Sequence, residues 1–170
     1  RAEFYANAEE LLGKKYDDVS VRPLREIFAN ATKALVYDLG ADGTAAEACS
    51  ALEPYEFNVL CAYTSVSADV TTYVDTVKDW RDNAGKKCQL VVYNMTTAPN
   101  HEGIINVVST VSDDGADAHA LVAWVGGAEA GCAVNSSCTN MLYNGEYAVV
   151  TDKTQKQLEE ALTAGQFAFH

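Results

Sequence analysis

Cationic side chains are scarce in this sequence: 12 lysines and arginines stand against 24 aspartates and glutamates, a net charge of −12 at neutral pH. The shortage deepens along the chain. Residues 101–170 carry 2 basic and 9 acidic groups, against 6 and 9 in residues 1–50 and 4 and 6 in residues 51–100. Such a surface repels phosphate backbones and anionic headgroups. No Lys/Arg stripe interleaved with aromatics offsets it, so neither nucleic acid nor a membrane surface is expected as a direct partner. Long apolar runs are missing as well: none reaches the ~18 residues of a membrane-spanning helix, and no signal-peptide pattern opens the chain. Closely paired cysteines are also lacking. The five cysteines, Cys49, Cys61, Cys88, Cys132 and Cys138, are odd in number and include no CxxC. Three of them lie in apolar segments, where cysteine behaves as a small hydrophobe, and the set reads as reduced and cytosolic. Cys132 and Cys138, in a Gly/Asn/Ser-rich stretch, would close a small disulfide loop only in an oxidising compartment.

The common catalytic signatures are absent too. There is no GxSxG elbow, HExxH, GxGxxG or phosphate-binding GxxxxGK[ST]. A triad can be assembled on paper from Asp38, His101 or His119, and Ser136, because Asp38 follows an apolar run and open α/β sheets place ligands at strand C-terminal ends. The plainer readings are a loop aspartate bonded to its own turn, a partly buried helix histidine at 119, and a tight turn at Asn100-His101-Glu102-Gly103. The cluster Asp113-Asp114-Gly115-Ala116-Asp117 lacks the spacing and terminal glutamate of a calcium loop and reads as solvated. No catalytic, cofactor-binding or metal-ligating residue is assigned.

With 48% hydrophobic and 21% charged residues, the chain has the composition of an ordinary folded domain. Its 170 residues suit one core, and a single domain over 1–170 is expected. Residues 3–12 place Phe4, Ala8, Leu11 and Leu12 on one helical face before Gly13. Residues 23–31 repeat the pattern with Leu24, Ile27, Phe28 and Ala31 behind Pro23. Residues 34–37 then read as a first strand. Residues 44–53 form a helix with Thr44 and Glu47 as a capping box and Pro54 beyond its end. The alternation continues with a strand at 58–63 and a helix carrying Val70, Tyr73, Val74, Val77, Trp80 and Arg81. Strands at 88–93 and 103–109 follow. An alanine-rich helix over 117–131, a loop-rich stretch at 132–152, and a helix from Thr154 to Ala164 with Leu158, Ala161 and Leu162 inward lead to a last strand at 166–170. Apolar strands alternating with helices predict an α/β layered fold, with a mainly parallel central sheet flanked by helices.

Five strings in order, PLREIFANATKALVY at 23–37, LEPYEFN at 52–58, NHEGIIN at 100–106, VAWVGGAE at 122–129 and LYNGEY at 142–147, resemble the tail sheath proteins of contractile phages and phage-tail-like particles. The closing helix and FAFH at 167–170 extend the resemblance. It implies a core of subtilisin-like topology without protease activity, in a structural subunit that assembles helically around a tail tube and contracts to drive injection. It also implies neighbouring sheath protomers, the tube protein and the baseplate as partners, no cofactor, and a virion tail assembled in the bacterial cytoplasm. Only one short helix separates Gly43 from Leu52, so the chain resembles the compact variety of sheath protein. Residues 1–22 read as a remnant of a preceding segment and 166–170 as the start of a truncated C-terminal one. The isolated chain is therefore expected to be monomeric or weakly associating. Glu159 and Glu160, in the acidic last third, and Phe167 and Phe169, in the last strand, are the candidate assembly-surface residues. The reading kept beside this one is an α/β ligand-binding or hydrolase-like domain with a site at the strand C-terminal ends. A generic interaction module from another phage structural protein is the third.

Overall fold

Leu90, Val91 and Val92 each have 0% exposure. Such an unbroken run belongs to a strand covered on both faces. In the computed structural model, which describes the backbone of residues 2–5 and all of residues 19–170, that strand is central to the larger of two sheets. The strands are β1 (Ala2–Tyr5), β2 (Ala34–Tyr37), β3 (Val59–Cys61), β4 (Gln89–Tyr93), β5 (Ile104–Val107) and β6 (Gln166–Phe167). The helices are α1 (Arg22–Phe28), α2 (Ala45–Leu52), α3 (Ser67–Asp82), α4 (Leu121–Gly131) and α5 (Gln155–Thr163). β3, β4, β5 and β6 lie side by side in that order and every pair is parallel. The fold is the α/β layered arrangement the alternation of elements implies.

Contacts group the residues into two compact units, one formed by 1–56 with 123–146 and the other by 57–122 with 147–170. In the second unit, α3 packs on β4. Val70, Tyr73, Val74, Val77 and Trp80 are its buried residues, at the predicted spacing. β3, α3 and β4 make an ordinary strand–helix–strand crossover. β4 and β5 do not: they are parallel, yet residues 94–103 join them without a helix. Asn106 explains how. It is 1% exposed inside β5, and its amide accepts from the Met95 N–H at 2.9 Å and donates to the Met95 carbonyl at 3.1 Å. Both backbone groups of the returning chain are thereby satisfied away from any helix. Asn94 and Asn100 bend the same segment at φ 47° and 45°, values that asparagine tolerates better than most residues.

In the first unit, α1 and α2 pack on β2. The capping box on α2 is present as predicted: Thr44 Oγ1 accepts from the Glu47 N–H, and the Glu47 carboxylate accepts from the Thr44 N–H. Gly127 and Gly131 let α4 lie against α1 backbone to backbone. A Cβ at Gly127 would strike the Ile27 carbonyl oxygen, and one at Gly131 the Asn30 carbonyl. The segment 143–146 is fastened to α1 by polar groups. Glu26, at 0% exposure, accepts from the Tyr143 hydroxyl at 2.6 Å and from the Glu146 N–H at 2.6 Å. The Glu146 carboxylate takes the Arg25 guanidinium at 2.8 and 2.9 Å. Asn144 accepts from the Trp124 indole at 2.8 Å and donates to the Ala29 carbonyl at 3.2 Å. A buried carboxylate with both oxygens engaged avoids the penalty of an orphaned charge.

Several expectations are corrected. Residues 2–5 are a strand, not the start of a helix, and residues 6–12 lie outside the described residues. β2 pairs antiparallel with β1, in a two-stranded sheet of its own, and does not join the parallel sheet. Its burial shows why the apolar run misled: Ala34 is buried, while Leu35, Val36 and Tyr37 are only half-covered. The alanine-rich helix begins at Leu121, so His119 sits in the turn before it. Leu162, expected inward, is 73% exposed.

Candidate assembly surface

α5 and β6 carry the candidate surface residues. Thr154 starts α5 with a second capping box, closed by Gln157, and Gly165, at φ 69°, ends it in the left-handed conformation glycine favours. Of its residues, Ala161 is buried. Glu159 and Glu160 are exposed. Glu159 accepts from Gln155 at 3.2 Å, and Glu160 faces Lys156 one turn back at 3.7 Å. Lys156, Glu159, Glu160, Thr163 and Ala164 line a shallow, open groove. Leu162, on the same helix but outside this groove, is also exposed. β6 then runs beside β5, with the Val108 N–H donating to the Phe167 carbonyl at 2.9 Å and the Phe169 N–H to Ser109 Oγ at 2.8 Å. Phe167 and Phe169 are half-buried and meet edge to face at 5.2 Å. Among the described residues β6 is an outer strand of its sheet, with no neighbour beyond it.

Of the residues considered for catalysis, Ser136 is exposed in the loop beyond α4, and Asp38 and His101 are engaged in their own turns. Asp38 accepts from the N–H of Gly40 in its own turn at 2.8 Å. His101 faces Asp82 at 3.3 Å through Nε2 and accepts from the Gly103 N–H at 3.1 Å through Nδ1. This is the tight turn read from the sequence. A Cβ at Gly103 would meet the Arg81 side chain, which lies across it on the way to the Cys88 carbonyl and Glu102. Asp113 accepts from the Ala148 N–H at 2.6 Å. Among the described residues no cluster of three His, Cys, Asp or Glu side chains is arranged to hold a metal ion, and no helix is long and apolar enough to cross a membrane.

Titratable groups do gather just beyond β3, where sequence reasoning singled out His119 and, within a cluster read as a solvated loop, Asp117, but not Tyr63. The Tyr63 hydroxyl donates to Asp117 at 3.2 Å, and the His119 ring stands edge-on to Tyr63 at 4.3 Å. Burial raises the Tyr63 phenol, helped by Tyr147 and Asp117. Burial also lowers His119, against the pull of Asp117. Both effects favour neutral side chains. His119 Nδ1 is buried with no hydrogen-bond partner, so the imidazole lacks the orienting acceptor that a general base uses. The cluster packs just beyond the end of β3.

The sheet and its flanking helices define an α/β layered domain, with Asp38, His101 and Asp113 engaged in turns and backbone contacts. Its family follows from comparison. Residues 16–170 match the model of the phage tail sheath protein central domain, and the chain belongs to that family. It is similar to the sheath tail protein of Desulfitobacterium hafniense, with a TM-score of 0.68, 33% identity, and coverage of 82% of this chain and 35% of that one. The sheath tail protein of Listeria innocua gives 0.65 and 31%, covering 81% and 33%. Uncharacterized protein YqbK of Bacillus subtilis (strain 168) is 39% identical over 101 residues, 58% of this chain and 21% of that protein. The chain thus spans about a fifth of YqbK and about a third of the solved sheath proteins.

Proposed function

We propose that this chain is the core of a structural subunit that assembles helically around a tail tube and contracts to drive injection. Its partners are neighbouring sheath protomers, the tube protein and the baseplate, and its place is the virion tail, assembled in the host cytoplasm. The observation that carries this reading is the match of residues 16–170 to the sheath central domain, supported by two sheath tail structures above 30% identity. A non-enzymatic role agrees with the engagement of Asp38, His101 and Asp113 in their own turns and backbone contacts.

The exposed α5 face, with Glu159 and Glu160, meets a basic patch on a neighbour or on the tube, where complementary charge sets register more than affinity. Phe167 and Phe169 brace the outer strand beside it. Antibodies raised against this chain, applied to purified tail particles, should decorate the sheath along its whole length. Decoration confined to the head or the tip would overturn the reading. Charge reversal at Glu159 and Glu160 in the full-length protein should reduce the yield of assembled tails, and unchanged tails would remove these residues from the interface. By sedimentation the 170-residue chain alone should be monomeric or weakly associated. Stable rings or tubes would contradict that.

A further inference from the structure

Cys138 lies beyond the C-terminal end of α4, and its thiol donates to the Ala128 carbonyl at 3.4 Å. That carbonyl is among the last four of the helix, which have no partner within it. The N–H one turn on, that of Cys132, has moved to the Glu129 carbonyl. Residue 132 therefore stands over the carbonyl that Cys138 caps, and the two thiols are within hydrogen-bonding reach of each other. Both are half-buried, while every residue between them, 133–137, is exposed, with Val134 fully so. The other three cysteines lie outside this loop. Cys49 and Cys88 are buried in the core.

We propose that Cys132 and Cys138 are a thiol–disulfide pair that closes the loop 133–137 when the protein meets a small-molecule disulfide. The Cys132 thiolate attacks the reagent RSSR, forming a mixed disulfide and releasing one RSH. Cys138 then gives up its proton, attacks the Cys132 sulfur, forms the intramolecular S–S bond and releases the second RSH. The two cysteines are oxidised, one RSSR is reduced to two RSH, and no further oxidant is required. Order follows from environment. Burial leads in pushing the Cys138 thiol up to about 12, with Cys132 and Glu129 adding to it, so its thiolate is too rare to begin the exchange. Oxidation replaces the S–H cap on α4 with a covalent tie to Cys132, the residue that follows the same helix. The loop is the part that changes.

The chain is incubated across glutathione buffers from fully reduced to fully oxidised, quenched in acid, alkylated and cut after glutamate. Glu129 and Glu146 bound a peptide, 130–146, holding these two cysteines and no others. With rising oxidant it should lose both alkyl groups and become lighter by two hydrogens, and excess dithiothreitol should reverse this. Cys138→Ser keeps a hydroxyl for the Ala128 carbonyl and should trap glutathione on Cys132. Cys132→Ser should leave Cys138 at least tenfold less modified. Full alkylation of both cysteines in the oxidised buffers would overturn the proposal. So would crosslinking of this peptide to another one, or preferential glutathione capture by Cys138.

Discussion

The Tyr143 hydroxyl donates to the buried Glu26 carboxylate at 2.6 Å, tying together residues 117 positions apart in the chain. This bond joins two of the sequence strings that carry the resemblance to sheath proteins. Replacing Tyr143 with Phe keeps the ring packed against Trp124, 5.1 Å away, and removes one donor to a buried charge. Urea denaturation should show a loss of about 1.5–3 kcal/mol. Glu26→Ala removes the acceptor that both the hydroxyl and the Glu146 N–H use and should cost more, roughly 3–5 kcal/mol. Equal losses for the two variants would mean that the Glu146 contact contributes little.

Glu26 also gives the domain a pH dependence with an unusual sign. Burial is the leading cause holding its carboxyl above the ordinary 4.5. The Glu146 charge adds to the rise, while hydrogen bonds from Tyr143 and Glu146 and the Arg22 charge oppose it. The folded state therefore binds this proton more tightly than the unfolded chain does. The resulting stability is fully present below about pH 4.5 and is lost as pH rises through the folded value. Urea midpoints of wild type and Glu26→Gln, compared across this range, should show the variant missing this decline. A parallel pair of profiles would count against it.

Alanine in place of glycine inside a helix normally stabilises by ~1 kcal/mol. At Gly127 the sign should reverse, because the new methyl meets the Ile27 backbone rather than a yielding side chain. A net loss of roughly 1–3 kcal/mol is expected, read from the shift in urea midpoint. A gain would mean that α1 and α4 separate more readily than their packing implies.

Asn106→Leu should strip both partners from Met95 while preserving side-chain volume within β5. Each unpaired buried group costs about 1–3 kcal/mol, and the effect should be local as well as global. Amide exchange at Met95 should accelerate more than exchange at Leu90, the neighbouring β4 position. Uniform acceleration would reduce Asn106 to an ordinary core residue.

The periodic elements were legible because periodicity reports burial directly. α2 came with its capping box, and α3 with every buried residue named. What the sequence hid were choices of partner. The run at 34–37 looks like any short apolar strand, and nothing in it reveals that it pairs with residues 2–5 instead of the parallel sheet. Leu162 follows the helical spacing of α5 yet points outward, since spacing says which residues share a face and not what lies opposite. Glu26 reads as a surface glutamate among arginines. Its burial depends on Tyr143 and the Glu146 N–H, far along the chain, and no local pattern encodes that meeting. Asn106, within NHEGIIN, carried a signal that was available: an amide side chain in a β-branched run asks for a backbone partner. Asp38 and His101 read as turn residues, and each is bonded within its own turn.

The helix-free link between β4 and β5 also bears on the order in which the sheet assembles. Closing a short loop costs less conformational entropy than closing a long one, so the pairing of Leu90 with Ile104 can form early, with Asn106 locking the link through Met95, eleven residues before it. β6 must return from beyond α4 and α5 to meet Val107, and its ladder is the one with the greatest chain separation in the sheet. Amide exchange at Val108, which donates to Phe167, should accordingly be faster than at Leu90. The terminal strand then behaves as a late and detachable addition to a nucleus spanning residues 59–107.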